Sequence, residues 1–112
     1  MSKLPIIVVG AGLGGAMAAL ALARKGFDVQ VLEEAEEFGV IGFGIQLGPN
    51  VFWMLDRLGV ADAVLAKALR PKSLVMYDCI DGEVIACIQT GDSFVRRFKK
   101  PYVVIHRVDL HQ

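Results

Sequence analysis

Six residues near the start of the chain have a composition and spacing that suit a phosphate group. Residues 10–15 fit the pattern G-x-G-x-x-G, with Gly10, Gly12 and Gly15 at its fixed positions. Gly10 permits a sharp turn, Gly12 lets a pyrophosphate approach the backbone because it lacks a β-carbon, and Gly15 lets a helix lie close to neighbouring strands. The free N–H groups at the start of that helix would receive the phosphate charge. The pattern predicts a dinucleotide-binding loop.

A carboxylate further along the chain suits the sugar of the same ligand. Glu33 lies 18 residues beyond Gly15, and a carboxylate there can accept hydrogen bonds from both hydroxyls of an adenosine ribose. It would also repel a 2′-phosphate, which disfavours NADP. Glu34, Glu36 and Glu37 are better interpreted as a solvated acidic surface. These residues indicate a dinucleotide and leave the choice between NAD and FAD open.

The elements that must position this loop form a βαβ unit. Residues 6–9 are an apolar run without alternation, typical of a strand buried on both faces of a parallel sheet. A helix is predicted over residues 14–25, ended by Gly26 in a left-handed cap. Residues 28–33 alternate apolar and polar side chains and predict a second strand. A strand before the glycine pattern and a helix after it are the context that supports the dinucleotide interpretation.

The apolar run over residues 4–23 has an alternative interpretation as a signal peptide or membrane helix. Pro5 and four glycines interrupt the run. Its first part is β-branched, whereas its second part is rich in alanine and leucine. A strand, a turn and a helix account for that change better than one spanning helix.

The rest of the chain mixes helix and strand signals without a repeat or a linker. A glycine-rich loop is predicted first, then two helices, the first of which has Pro49 in its first turn. A two-residue hairpin at Asp81-Gly82 joins two strands, a further strand follows, and the last four residues resemble the opening of a helix. The corresponding residues are 34–48 for the loop, 49–59 and 62–69 for the helices, 73–79, 83–89 and 102–106 for the strands, and 109–112 for the helix opening.

Length and charge limit the classes of function. The chain has 112 residues, of which 54% are apolar, and has 12 basic and 12 acidic residues. One small domain with an apolar core is expected, and the balanced charge gives no reason to expect nucleic acid or a membrane as partner. The basic cluster Arg96, Arg97, Lys99 and Lys100 is interpreted as a solvated face.

The cysteines and histidines do not form a metal site by their spacing. Cys79 and Cys87 lack the CxxC spacing and fall in strand-like segments, which predicts buried thiols in a reducing cytoplasm. His106 and His111 have no cysteine nearby. Neither histidine is assigned as a metal ligand or as a catalytic base.

Three segments resemble the single-component flavoprotein aromatic hydroxylases. They are residues 42–50 (GFGIQLGPN), residues 55–60 (LDRLGV) and residues 106–111 (HRVDLH), and the similarity runs along essentially the whole chain. Residues 36–39 and 69–72 make it look closest to the hydroxylases of 3-hydroxybenzoate, with those of salicylate as near relatives. The resemblance implies an α/β fold with a Rossmann-like FAD-binding domain, of which residues 1–112 are the amino-terminal part without the substrate domain.

The same resemblance implies roles for individual residues. Glu33 would hold the adenosine ribose of FAD, residues 42–46 would pass near the isoalloxazine ring, and Arg107 would reach the ribityl-pyrophosphate region. Asp109 would mainly cap a helix. Glu34 stands where the family usually has arginine, and Phe43 where it usually has alanine. No catalytic residue is assigned. The expected cofactor-binding residues are Gly10, Ala11, Gly12, Leu13, Gly14, Gly15, Glu33, Gly44, Gln46 and Arg107.

The implied activity is a cytoplasmic FAD-dependent monooxygenase. NADH would reduce FAD, and O2 would supply a hydroxyl group to a phenolic acid, converting 3-hydroxybenzoate to 2,5-dihydroxybenzoate (gentisate). The whole enzyme would form a homodimer, and the isolated chain is expected to be inactive. Three alternatives stay open: a salicylate hydroxylase, an NAD-dependent dehydrogenase built on the same βαβ unit, and a truncated remnant or binding module without enzymatic activity.

Overall fold

A computed structural model describes residues 4–36 and 43–111. The chain has an α/β fold and divides into two compact units, Met1–Phe43 with Arg107–Gln112, and Gly44–His106. The strands are β1 (Ile6–Val9), β2 (Val29–Leu32), β3 (Gly44–Leu47), β4 (Ser73–Tyr77), β5 (Val84–Gln89) and β6 (Val103–His106). The helices are α1 (Leu13–Arg24), α2 (Pro49–Arg57), α3 (Ala61–Lys67), α4 (Asp92–Phe98) and α5 (Arg107–His111).

The first unit contains the predicted βαβ arrangement. β1 and β2 pair in parallel, from Ile6 opposite Val29 to Val9 opposite Leu32, with α1 as the connection between them. Gly26 follows α1 with φ 83°, and this left-handed conformation confirms the predicted glycine at the end of the helix. The βαβ unit and its order along the chain are confirmed.

The predicted burial of β1 on both faces is wrong. Ile7 is 56% exposed and Val9 is 83% exposed. Among the described residues, β1 pairs only with β2, and α1 has no buried residue. One helix and one neighbouring strand therefore leave much of the apolar surface of this strand in contact with solvent.

A close backbone contact determines how α1 leaves β1. Gly10 has φ 88°, a conformation that favours glycine. A β-carbon on Gly15 would overlap the carbonyl oxygen of Gly10 and would lie 3.4 Å from Cγ1 of Val8. The first turn of α1 thus packs directly on the turn that precedes it. This is the close approach for which the third glycine of the pattern was predicted.

The second unit contains most of the buried apolar side chains. β3 and β6 pair antiparallel, from Gly44 opposite His106 to Leu47 opposite Val103, and α2 and α3 contact these strands. The buried apolar residues of this unit are Leu47, Phe52, Leu55, Leu58, Ala61, Val64, Val103 and Ile105. The helix predicted after Pro49 is confirmed as α2, and its buried side chains are Phe52 and Leu55.

Several element boundaries differ from the sequence-based expectations. The loop predicted over residues 34–48 contains β3, because β6 supplies hydrogen-bonding partners from a distant part of the chain. The helix predicted over residues 62–69 ends at Lys67, because Leu69 pairs with Val104 in an antiparallel bridge. Helix α4 was not predicted. The closing helix begins at Arg107, earlier than expected.

The β4–β5 hairpin is confirmed, but its connection is longer than two residues. β4 ends at Tyr77 and β5 begins at Val84. Within the connection, the N–H of Asp78 donates to the carbonyl of Glu83 at 2.8 Å, and Gly82 has φ 78°. The turn itself comprises Cys79, Ile80 and Asp81, and the N–H of Gly82 closes it by donating to the carbonyl of Asp78 at 3.1 Å. The predicted two-residue turn at Asp81-Gly82 is therefore wrong.

The prediction of buried cysteines is wrong. Cys79 and Cys87 are both free and exposed, since Cys79 lies in the hairpin connection and β5 is exposed along its whole length. None of the helices in the described ranges is long and apolar enough to cross a membrane. The run at residues 4–23 instead forms a strand, a turn and most of α1.

Replacement of Gly15 by alanine should destabilise the fold by about 1–3 kcal/mol, because its β-carbon would overlap backbone that cannot move freely. The matched control is Gly14→Ala, since a β-carbon on Gly14 meets nothing within 4 Å. Alanine in the helix should make that variant up to about 1 kcal/mol more stable. Urea unfolding measures both free energies, and equal stability of the two variants would contradict the close contact at Gly15.

Candidate functional site

The glycine-rich loop presents the amino-terminal end of α1 without a side-chain cap. Gly12 is the N-cap residue, with φ −62° and ψ 177°, and no side chain in the described ranges caps this end with a hydrogen bond. The first turn also contains no acidic residue. A β-carbon placed on Gly12 would meet no atom of residues 4–36 or 43–111 within 4 Å. The partial positive charge of the helix end therefore faces open space that could hold an anion.

Glu33 connects the end of β2 to this loop. Its Oε2 accepts a hydrogen bond of 2.6 Å from the N–H of Ala11, and its Oε1 accepts one of 2.9 Å from the N–H of Ala35. The carboxylate thus holds the turn after β1 and the turn after β2 together. Ala11, one of the predicted cofactor-binding residues, is buried, and its N–H already has an acceptor.

These hydrogen bonds favour the charged form of the carboxyl group. The N–H of Ala35 contributes most and the N–H of Ala11 next, so the pKa of Glu33 lies below its ordinary value. A carboxylate offers about four lone-pair positions. Two of these are used by the backbone, and the exposed side chain retains capacity to accept from two further hydroxyl donors.

Helix α5 brings two more side chains to the same unit. Nε2 of His111 lies 2.5 Å from the carbonyl oxygen of Ala11, and α5 contacts α1. Arg107 begins α5 and is exposed. Because Arg107 and His111 are four residues apart on one helix, they share a face, about 5–6 Å apart at their β-carbons. The predicted residue Arg107 therefore lies one helical turn from the residue that contacts the loop.

His111 was not predicted as part of the site. From its sequence context, His111 is assigned neither as a metal ligand nor as a catalytic base. Its four-residue spacing from Arg107 was the available signal, but the helix that makes this spacing meaningful was expected to begin later.

Asp109 lies in the first turn of α5 and not at its N-cap. A carboxylate there is still favoured by the positive end of the helix.

Two predicted residues lie in the second unit. Gly44 and Gln46 are both exposed and alternate with Ile45 and Leu47, of which Leu47 is buried. They therefore share the outer face of β3. A β-carbon on Gly44 would lie 3.3 Å from Cγ1 of Val104. A side chain at position 44 would therefore crowd Val104 in the neighbouring strand β6.

Some predicted residues fall outside the described ranges. Gly42, predicted near the flavin ring, is one of them, as are Glu37, Phe38 and Gly39 of the segment that supported the resemblance. Phe43 is described, is 87% exposed, and accepts a hydrogen bond of 3.2 Å at its carbonyl from the N–H of Arg107.

Among described residues, no group of three or more histidine, cysteine, aspartate or glutamate residues could hold a metal ion.

Comparison with known proteins identifies relatives along nearly the whole chain. The family described as FAD binding domain matches residues 3–89. The chain is 53% identical, over 98% of its length, to 3-hydroxybenzoate 6-hydroxylase of Polaromonas naphthalenivorans (strain CJ2), of which it covers 28%. It is 43% identical, over 99% of its length, to 6-hydroxynicotinate 3-monooxygenase of Pseudomonas fluorescens, of which it covers 29%. The chain thus spans little more than a quarter of the length of these relatives.

A solved structure shares the fold. The crystal structure of HpxO from Klebsiella pneumoniae, complexed with FAD and uric acid, matches this chain with a TM-score of 0.80 at 26% sequence identity. The match covers 98% of this chain and 27% of that protein. The match therefore includes residues of both compact units.

The carboxyl group of Glu33 should titrate below pH 4.5, its ordinary value, because two N–H groups donate to its charged form. A depressed pKa means that the carboxylate stabilises the fold above pH 4.5 and that this contribution is lost as pH falls through the lower, folded-state value. A ¹³C titration of the side-chain carboxyl measures the midpoint. The same carbon titrated in denaturing urea serves as the control, and an equal midpoint in both would contradict the anchoring of the loop by Glu33.

Proposed function

Because this chain belongs to the family of FAD-binding domains, we propose that its first unit holds the adenosine diphosphate half of FAD in an aromatic monooxygenase. The observation that carries this proposal is the anchored loop. Residues 10–15 turn tightly out of β1, and Glu33 holds them through the N–H of Ala11. An NAD-dependent dehydrogenase, the alternative that the glycine pattern alone permits, is not favoured by the match to an FAD-binding family.

The loop and α1 supply the groups that a pyrophosphate requires. The N–H groups of Gly12, Leu13 and Gly14 lie where the helix begins, before the first intrahelical bond from Ala16 to Gly12. They can donate to phosphate oxygens in the open space beside Gly12. Gly10 and Gly15 bring the chain into this turn, and Ala11 fixes it, so each predicted loop residue has a part in the proposed site.

Glu33 is proposed to bind the ribose of the adenosine. Its exposed carboxylate can accept from the two ribose hydroxyls while it keeps the hydrogen bonds to Ala11 and Ala35. The negative charge favours a free 2′-hydroxyl over a 2′-phosphate. Its lowered pKa keeps the carboxylate charged, and therefore an acceptor only, at neutral pH.

Arg107, Gly44 and Gln46 are proposed to contact the remainder of the cofactor. Arg107 is an exposed cation on the face of α5 that also bears His111, and it can neutralise a phosphate charge. Gly44 and Gln46 share the exposed face of β3, where a glycine permits a flat ring to approach the backbone and a glutamine amide can donate or accept hydrogen bonds. FAD supplies the oxygen chemistry, and these residues bind and orient it.

The substrate proposed for the whole enzyme is 3-hydroxybenzoate, with NADH as electron donor, O2 as co-substrate and 2,5-dihydroxybenzoate as product. The identity of 53% to a 3-hydroxybenzoate 6-hydroxylase supports this substrate. A relative at 43% identity is named for 6-hydroxynicotinate, so salicylate and hydroxynicotinate are the comparison substrates. We further propose a homodimeric enzyme of the cytoplasm, a reducing compartment that suits two free cysteines.

Replacement of Glu33 by alanine should weaken FAD binding at least about tenfold, because hydrogen bonds to a charged acceptor are lost. The measurement is the dissociation constant for FAD, by quenching of flavin fluorescence, in the polypeptide in which this chain occurs naturally. Glu36→Ala is the matched control. Glu36 is exposed in the same acidic segment, and its replacement by alanine removes the same negative charge. Equal affinity of the two variants would exclude Glu33 from the site.

The isolated 112-residue chain should not hydroxylate any of these compounds. It spans 28% of the 3-hydroxybenzoate 6-hydroxylase to which it is similar, and none of its residues is assigned a catalytic role. NADH oxidation and product formation with 3-hydroxybenzoate, salicylate and 6-hydroxynicotinate measure this directly. Turnover by the isolated chain would show that the residues described above include catalytic groups.

A further inference from the structure

The contact between His111 and Ala11 involves the peptide group whose N–H belongs to Gly12, a proposed phosphate donor. Nε2 of His111 lies 2.5 Å from the carbonyl oxygen of Ala11. A carbonyl oxygen can only accept, so the imidazole must carry a proton on Nε2 and donate it. His111 is partly buried, and its helix contacts α1. The imidazole is therefore held at the loop by the packing of α5.

The carbonyl of Ala11 and the N–H of Gly12 belong to one peptide group. A peptide group is planar, and in the trans form its C=O and N–H point in opposite directions. No peptide bond in the described residues is cis. A donor that fixes the direction of the Ala11 carbonyl therefore fixes the direction of the Gly12 N–H, which points away from His111.

The preceding peptide group is fixed in the same manner by a different side chain. The N–H of Ala11 donates to Glu33, and the carbonyl of Gly10 in the same plane packs against Gly15. Glu33 and His111 thus orient two consecutive peptide groups of the loop. The first orientation shapes the turn, whereas the second sets the direction of the Gly12 N–H.

We propose that His111 is a positioning residue for FAD, which donates a hydrogen bond to the Ala11 carbonyl and so aims the Gly12 N–H at the pyrophosphate. A hydrogen bond accepted by the carbonyl also polarises the peptide and makes its N–H a stronger donor. This inference rests on the proposed binding of FAD at the loop. It assigns His111 no contact with the substrate and no step in the reaction.

Glutamine and methionine at position 111 separate a hydrogen-bonding role from a packing role. Both side chains are unbranched, of similar length and compatible with a helix. Nε2 of glutamine can take the place of the imidazole Nε2–H as donor, whereas methionine fills the space without a donor. His111→Met should weaken FAD binding about three- to tenfold. His111→Gln should bind FAD within about twofold of the wild type.

The experiment measures the FAD dissociation constant for both variants and the wild type, in the polypeptide in which this chain occurs naturally. His106→Met is the matched control, since His106 is exposed at the end of β6 and is not assigned to the site. A second readout is the ¹H–¹⁵N resonance of the Gly12 amide, which His111→Met should shift and His111→Gln should restore.

The outcomes separate this inference from the proposed function. A loss of affinity in His111→Met with recovery in His111→Gln supports the donor role. Equal affinity of His111→Met and the wild type, or equal loss in both variants, overturns it while FAD binding stands. A wild-type protein that binds no FAD overturns the proposed site and this inference together.

Discussion

The hydrogen bond from the Ala11 N–H to Glu33 is the interaction on which the proposed site depends. It joins the turn after β1 to the turn after β2, two points that lie 22 residues apart in the sequence. Parallel pairing of β1 with β2 brings these turns to one edge of the sheet. Without the carboxylate, the N–H of Ala11 would lack its acceptor and the loop would lose a fixed conformation at the start of α1.

A steric constraint at Gly15 limits the conformation of the same loop. The first turn of α1 packs on the carbonyl of Gly10 so closely that only glycine fits. Glu33 holds the loop by attraction, and the contact at Gly15 limits it by steric exclusion. The result is a helix end with a fixed direction and with space in front of it, which is what binding of a pyrophosphate at backbone N–H groups requires.

The local part of this arrangement could be predicted from the sequence. The βαβ unit, the glycine pattern and Glu33 are separated by short distances along the chain, and each has a direct physical reason. The contribution of His111 could not be predicted, because it depends on a helix that returns to the loop 100 residues later. β3 was missed for the same reason, since its partner β6 is distant in sequence. The exposure of β1 and of both cysteines reflects the number of elements that cover them, which residue type alone does not reveal.

The central claim is that the anchored loop binds the diphosphate of FAD. The most direct measurement is a ¹H–¹⁵N spectrum of the polypeptide in which this chain occurs naturally, recorded during titration with FAD. We predict the largest shifts at the amides of Gly12, Leu13 and Gly14, with smaller shifts in the β4–β5 hairpin. FAD-dependent shifts confined to other parts of the chain, with these three amides unchanged, would contradict it.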